Sequence, residues 1–351
     1  MDRYIGLDVH ATSTTAAMVD GRGKRLGSSV LETNGRVLVE FVRGQSGRAH
    51  IILEEGTQSG WLHGVLSPHA AEVVVTRVKR SRGQKNDRLD AFGLAELLRR
   101  GAVDMRVFKE EGNYGELRQL VKVHLSAVQD TVRTQSRLKA LYRSRGVRAA
   151  GLSVYSSEGR EQWLSELPPP SRSSAELLYA QYDGQRKIRD KAERALVAES
   201  HRHSISRVLE SCPGLGSVRV ARLVAVVVTP HRFRRRSQFW AYCGLGIVMR
   251  SSSDWVLAPD GRWVRTDMQQ TRGLNRNHNH ILKAVFKGAA TTVINQHRDS
   301  AFAEDYRRQL DAGTKPNLAK LTLARRIAAT VLAMWKHEEV YEPKRSTRTK
   351  R

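Results

Sequence analysis

Short apolar runs alternate with turn residues along the N-terminal part of the chain. Residues 3–10, 13–19, 27–31, 49–54 and 72–77 are rich in Val, Ile and Leu, and breaks such as Asp20-Gly21-Arg22-Gly23 separate them. This pattern predicts five strands. Residues 35–43 and 60–66 read as helical crossovers, so the prediction is a mixed sheet with helices packed on it. Residues 90–100 then predict an amphipathic helix through Leu89, Phe92, Leu94, Ala95 and Leu98, with Gly101 as its stop.

The period changes further on. Leu117, Leu120, Val121, Leu125, Val128, Val132, Leu138 and Leu141 recur at three- and four-residue steps, which predicts one long helix over 113–146. Its other faces are dense in Arg, Lys and Gln. Pro168-Pro169-Pro170 and the Ser-rich stretch 171–174 predict a break, followed by a second charged helix over 175–210. Two long helices around a hinge fit a coiled-coil insertion or dimerisation arm, and equally a plain helical hairpin packed on its own domain. Cys212-Pro213-Gly214-Leu215-Gly216-Ser217-Val218, followed by 219–228, resembles a helix-hairpin-helix, in which a Gly-rich turn offers backbone N–H groups to a phosphate. Residues 275–297 and 315–335 predict two more basic helices. The expected domains are 1–110, 111–205 and 206–340, with a basic disordered tail over 341–351.

Composition narrows the class. The chain has 351 residues, 40% of them hydrophobic, enough for more than one core. No apolar run approaches the ~18 residues that a membrane span needs, so no membrane partner is expected. Only Cys212 and Cys243 are present, which excludes a disulfide framework and a four-cysteine zinc site. A reducing cytoplasm is the expected location. Sixty Lys and Arg against 35 Asp and Glu leave a net charge of +25. Residues 201–351 hold 28 basic and 11 acidic side chains, so +17 of that charge lies there. Such a field attracts polyanions, nucleic acid above all.

Against that charge, four acids stand out. Asp8 lies in Tyr4-Ile5-Gly6-Leu7-Asp8-Val9-His10, Glu54 ends Ala49-His50-Ile51-Ile52-Leu53-Glu54, and Asp87 and Asp90 open a predicted helix in Lys85-Asn86-Asp87-Arg88-Leu89-Asp90-Ala91. Cleavage of a phosphodiester needs charge stabilisation on the attacking and leaving oxygens, and two metal ions about 3.5–4 Å apart, held by hard oxygen ligands, supply it. Asp87 and Asp90 are three apart and share a helix face. Glu55 competes with Glu54, since adjacent strand residues face opposite sides and only one can reach the site. Glu54 is favoured by its register with the apolar residues before it. Asp87 could instead simply cap its helix.

Other residues suit nucleic acid. In Ser251-Ser252-Ser253-Asp254 a hydroxyl could attack a phosphodiester and hold the strand covalently, with Arg250, Arg262 and Arg265 stabilising phosphate charge. Without further context a Ser-rich loop is the default reading of that segment. Arg234, Arg235 and Arg236 fit backbone phosphate contacts, and Lys79, Arg80 and Arg82 would lie near substrate phosphates just before the Asp pair. His278 and His280 lack a third ligand at metal spacing, and beside Arg276 and Lys283 they fit phosphate contact better. Trp240, Trp255 and Trp263 could stack on unpaired bases, although packing in a core is the commoner fate of tryptophan.

The Gly6-Leu7-Asp8-Val9-His10 opening, Leu53-Glu54-Glu55-Gly56-Thr57-Gln58-Ser59 and Lys85–Ala91 resemble the DEDD transposases of bacterial insertion sequences, the family of the pilin-gene invertase Piv and the bridge-RNA-guided recombinases. Pro213-Gly214-Leu215-Gly216, Phe239-Trp240-Ala241-Tyr242-Cys243-Gly244-Leu245 and the serine cluster resemble that family's C-terminal domain. The resemblance runs over nearly the whole chain in the family's order. It implies an α/β N-terminal domain with a RuvC-like (ribonuclease H-like) fold, in which Asp8, Glu54, Asp87 and Asp90 bind Mg²⁺, followed by a long helical insertion and a mainly α transposase domain. It also implies a nucleophilic serine in a Ser-Gly pair eight residues past Gly244, which is Ser252. Ser253 stands where that glycine is expected, so Ser251 and Ser253 remain alternatives. The implied activity is recombination of donor and target DNA by a dimer or tetramer, guided by a structured non-coding RNA. A RuvC-like junction resolvase with structural serines is the second reading, and a non-catalytic nucleic-acid-binding protein the third. A sugar-kinase-like or actin-like ATPase shares the fold and an early strand Asp, but the basic C-terminal half and the missing second phosphate loop speak against it.

Overall fold

The computed structural model describes residues 1–77, 86–103, 114–249, 255–265 and 271–343, in two compact units, Met1–Gly112 and Asn113–Arg351. In the first unit β1 (Asp2–Val9), β2 (Ser13–Asp20) and β3 (Arg25–Glu32) form an antiparallel meander, while β4 (Arg48–Glu54) runs parallel to β1, and β5 (Glu72–Thr76) parallel to β4. The sheet order is β3-β2-β1-β4-β5. Both faces of its centre are covered, which is why β1 and β4 read as nearly continuous apolar runs. On one face Ile5, Leu7, Ile51, Leu53 and Val75 pack against Leu38 and Val42 of α1 (Gly35–Arg43) and Leu62 and Leu66 of α2 (Ser59–Leu66). On the other, Ala17, Val19, Ile52 and Val74 meet Ala91, Phe92, Leu94, Ala95 and Leu98 of α3 (Asp87–Arg99).

The seat of α3 is set by a glycine. A Cβ on Gly6 would overlap the Ala91 carbonyl and lie 2.7 Å from the Ala95 backbone nitrogen. Backbone therefore meets backbone, with only alanines on the helix side. Asn86, not Asp87, caps α3, its side chain accepting from the Arg88 N–H. The Asp87 carboxylate is thus not used as the cap. Gly101, with φ +64°, follows the helix as expected. Leu89 departs from the predicted apolar face and is 53% exposed, because the stripe that meets the sheet runs through Ala91, Phe92, Leu94, Ala95 and Leu98.

In the second unit α4 (Gly115–Ser144) and α6 (Pro169–His201) lie side by side and antiparallel, with Gln135 opposite Tyr182 and His124 opposite Glu193. At one end Leu138, Tyr142, Ala175, Tyr179 and Tyr182 close a small core of their own, in which the Tyr142 and Tyr179 hydroxyls are 3.0 Å apart. At the other, Leu117, Val121 and Leu196 join a larger core built on α8 (Ser217–Val227), α10 (His280–Gln296) and α12 (Pro316–His337). Two small antiparallel pairs, β6 (Ile247–Met249) with β9 (Thr271–Leu274) and β7 (Trp255–Leu257) with β8 (Trp263–Arg265), interrupt the helices.

Three sequence expectations need correction here. The proline run opens α6 rather than preceding a Ser-rich break, because proline suits the first helical positions, where no N–H bond is lost. The second charged helix ends at His201, and α7 (Ser204–Glu210) is separate from it. Residues 275–279 are not helical, since Asn279 caps α10, and α11 (Ala301–Asp311) was not anticipated. The packed chain also continues past 340: the Tyr341 N–H donates to Ser211 Oγ at 2.8 Å, and its ring lies against Phe302. The rest of the expected tail, 344–351, lies outside the described residues.

Gly6→Ala is expected to force α3 off the sheet and to lower the stability of the first unit by about 1–3 kcal/mol or more, as overpacking against rigid backbone does. Urea denaturation followed by far-UV circular dichroism measures this, and an unchanged midpoint would contradict the close backbone contact.

Candidate active site

The side-chain alternation of β1 decides what Asp8 faces. Ile5 and Leu7 point into the α1/α2 core, so Tyr4, Gly6 and Asp8 lie on the α3 side. α3 sits over Gly6 through Ala91 and Ala95, and its first turn, with Asp87 and Asp90, overhangs the end of β1. The result is a cluster: Asp8, His10 and Asp87 can each place one ligand atom within 4.8 Å of the others. His10 Nε2 stands 3.5 Å from Asp8 Oδ2 and 3.4 Å from Asp87 Oδ2.

The electrostatics are those of crowded carboxylates. Burial at the strand end raises the Asp8 pKa above the usual carboxylate range, the Asp87 and Asp90 charges raise it further, and His10 opposes the rise. Asp90 is therefore close enough for its charge to be felt at Asp8, although it stands outside the tight cluster. Asp8 is 22% exposed in its side chain, against 60% for Asp87, so the cluster opens to solvent on the helix side. A shallow groove beside it is lined by Thr15, Ser28, Ser29, Asn86, Asp87 and Arg88.

Glu54 is the last residue of β4, one step past the Leu7–Leu53 register pair, and its alternation with buried Leu53 puts it on the same sheet face as Asp8. Glu55 is engaged elsewhere, accepting from Arg77 Nη2 at 2.8 Å and Nε at 3.1 Å. The geometry thus gathers Asp8 and Asp87 closely, with Asp90 nearby and Glu54 on their face. Sequence reasoning missed His10. It lies two residues beyond Asp8, at strand spacing that points both side chains the same way, and that was the available signal.

The basic and nucleophilic candidates separate. Ser251, Ser252, Ser253 and Arg250 lie outside the described residues, as do Lys79, Arg80 and Arg82. The Arg265 side chain lies outside them too. Arg234, Arg235, Arg236 and Arg276 are exposed, with the Arg236 guanidinium over the ring of Trp240 at 5.5 Å, while Arg262 binds Asp260 at 2.9 Å. Trp240 donates its indole N–H to the Arg325 carbonyl at 2.9 Å and is part of the packing. Trp255 and Trp263 are more than half exposed. His278 packs against Gly244, where a Cβ would collide with its ring, and its Nδ1 is 2.7 Å from the Asn275 carbonyl.

Two family models match the chain. One for DEDD transposases, described as a transposase, covers residues 5–144, and one described as the transposase IS116/IS110/IS902 family covers 206–307. The chain belongs to the IS110 family of DEDD transposases. No curated protein matches it. Membership makes its activity DNA transposition, with DNA as its substrate, and DEDD transposases typically use a divalent metal. The first match spans every acid of the quartet and runs on through α4, and the second contains the serine segment and the Gly-rich turn before α8. No helix of this transposase among the described residues is long and apolar enough to cross a membrane.

Asp8→Asn removes one of the crowded negative charges. In the absence of divalent ions the variant is expected to melt at the same temperature as the parent or higher. A rise in Tm with added Mg²⁺ or Mn²⁺, expected for the parent, should be lost. Differential scanning fluorimetry with and without chelator measures both, and an undiminished ion-dependent shift in the variant would remove Asp8 from the ligand set.

Proposed function

We propose that this transposase cuts and rejoins DNA through a RuvC-like, ribonuclease H-like domain over 1–110, a helical region over 111–205 and a serine-bearing domain over 206–340. The observation that carries this reading is the approach of Asp8 and Asp87, with Asp90 close by and Glu54 on the same sheet face. The strand order, an antiparallel meander continued by parallel β4 and β5, supports the ribonuclease H-like assignment.

The donor set fits a hard divalent cation. Asp8, Asp87, Asp90 and Glu54 offer carboxylate oxygens, and the raised Asp8 pKa reflects burial at the strand end and then the neighbouring negative charges, which a cation would offset. We assign Mg²⁺ to these four acids. When bound, the ion supplies positive charge to the scissile phosphate and its leaving oxygen. His10 Nε2 stands between the two carboxylates, 3.5 Å from Asp8 and 3.4 Å from Asp87.

Ser252 is the proposed nucleophile. Its Oγ attacks phosphorus and loses its proton to a neighbouring base, the phosphorus–O3′ bond breaks, and the departing 3′-oxygen is protonated. The strand is then held as a 5′-phosphoserine diester. A new 3′-hydroxyl attacks that phosphorus, restores the serine and reseals the backbone, so one diester replaces another and no ATP is needed. Arg250, Arg262 and Arg265 would stabilise the phosphate charge, with Lys79, Arg80, Arg82, Arg234, Arg235, Arg236 and Arg276 along the backbone track. Exchange needs more than one such centre, hence a dimer or tetramer. A guide RNA that pairs with donor and target would leave the protein to read shape and charge, in keeping with the net charge of +25.

Ser252→Ala is expected to abolish both the covalent protein–DNA adduct and recombinant product, while Asp8→Asn abolishes cleavage. Denaturing gels of end-labelled donor DNA, with any RNA that co-purifies supplied in the reaction, resolve the adduct. Cleavage that persists in the serine variant without an adduct would favour the RuvC-like nuclease over serine recombination.

A further inference from the structure

His10 enters the acidic cluster from a fixed backbone. It stands just past the end of β1, two residues beyond Asp8, so both side chains turn to the side that α3 covers. The His10 N–H donates to the Ser13 carbonyl at 2.9 Å, and Thr33 Oγ1 donates to the His10 carbonyl at 3.0 Å. Thr33 Oγ1 is itself 2.8 Å from Thr14 Oγ1. On the helix side the Asn86 cap fixes the first turn of α3, and Asp87 with it. The imidazole is therefore held at its root, although 52% of the side chain is exposed.

One atom of the ring makes both contacts: Nε2 is 3.5 Å from Asp8 Oδ2 and 3.4 Å from Asp87 Oδ2. A nitrogen with one hydrogen cannot donate at full strength to two carboxylates. Both separations also exceed the roughly 2.7–2.9 Å of a charge-assisted N–H···O bond. They do match neighbouring ligands on one ion. Metal–ligand bonds of about 2.0–2.2 Å, meeting at angles from octahedral to tetrahedral, put adjacent donor atoms about 2.8–3.6 Å apart. Asp8, His10 and Asp87 can each place one donor atom within 4.8 Å of the other two, so a single cation can bridge an imidazole nitrogen and two carboxylate oxygens.

We propose that His10 is itself a ligand of the metal held by the acidic cluster, and that its nitrogen makes the site favour a first-row transition ion such as Mn²⁺ over Mg²⁺. This assignment rests on the metal reading of the four acids and adds a donor of a different kind. Mg²⁺ takes oxygen ligands and gives up water reluctantly, so the acids can serve it with the imidazole left aside. Imidazole suits transition ions, and a nitrogen in the ligand set raises their affinity relative to Mg²⁺. Four carboxylates alone would discriminate less between the two ions. A histidine that only offset the carboxylate charge would act on every divalent ion alike, and its removal would change Mg²⁺ and Mn²⁺ binding together.

The test uses the full chain, stripped with chelator, and the chlorides of magnesium and manganese as probes. Isothermal titration calorimetry gives the Kd of each ion for the parent, His10→Asn and Asp8→Asn. The parent should bind Mn²⁺ more tightly than Mg²⁺. In His10→Asn the Mn²⁺ affinity should fall by about tenfold or more, the scale on which loss of even an outer partner of a metal is felt, while Mg²⁺ affinity is nearly unchanged. Pulsed EPR of the Mn²⁺-loaded parent should show nuclear modulation from a directly bound imidazole nitrogen, lost in both variants. That spectrum reads coordination in the parent alone should a variant not fold. Equal changes for the two ions in His10→Asn, or no nitrogen modulation in a parent whose Mn²⁺ binding depends on Asp8, would overturn the His10 assignment and leave the acids as ligands. Binding of both ions undiminished by Asp8→Asn would instead remove the metal reading itself, and the assignment with it.

Discussion

The acidic cluster depends on one close approach, that of α3 to β1 over Gly6. Any side chain at that position would lift the helix by the thickness of a methyl group, and the alanines at 91 and 95 allow the contact from the other side. Asp87 lies one helical turn before Ala91, and Asp8 lies one strand step pair after Gly6. Fixing the backbone contact therefore fixes the distance between two carboxylates that gain nothing from being near each other. The apolar burial of Ala17, Val19, Ile52, Val74, Phe92, Leu94 and Leu98 holds them there.

That arrangement places repulsion where chemistry is wanted. A carboxylate at the end of a central strand, partly desolvated and faced by further acids, resists ionisation. In a chain with so large a surplus of cations, Asp8 and Asp87 could have been neutralised by arginine, as Glu55 is by Arg77. Among the described residues, the side chain that stands between them is a histidine, His10. Guanidinium pairing is found on Glu55, the neighbour of Glu54, whose carboxylate leaves the α3 face.

The positive charge of the second unit is organised rather than merely spread. Arg219 and Arg222 stand one turn apart on α8, half buried, where most surface arginines would be solvated. Their desolvation is offset by polar partners, the Gly214 carbonyl at 2.9 Å for Arg219 and His124 Nδ1 at 3.2 Å for Arg222, and Gly214 comes so close to α10 that a Cβ there would lie 2.6 Å from the Ala289 carbonyl. The Gly-rich turn thus serves packing as well as any ligand at the helix start.

Much of this was legible in the chain. Short apolar runs between turn residues mark five strands and both crossover helices, and the preference for Glu54 over Glu55 follows from the period of two, because the apolar residues before it fix the register. Local chemistry was read less well. A run such as Pro168-Pro169-Pro170 excludes a continuing helix and equally suits a starting one, and only the packing of Tyr179 and Tyr182 in the core shared with α4 shows which applies. His10 closes the apolar run of β1, and its value lies in a partner, Asp87, on a helix far along the sequence. His124 and Arg222, 98 positions apart, carried no joint signal at all. Periodicity determines which face a side chain takes, since it follows from backbone geometry within one element. Which side chains from different elements share a cavity, and whether their donors find acceptors, is decided only when those elements pack.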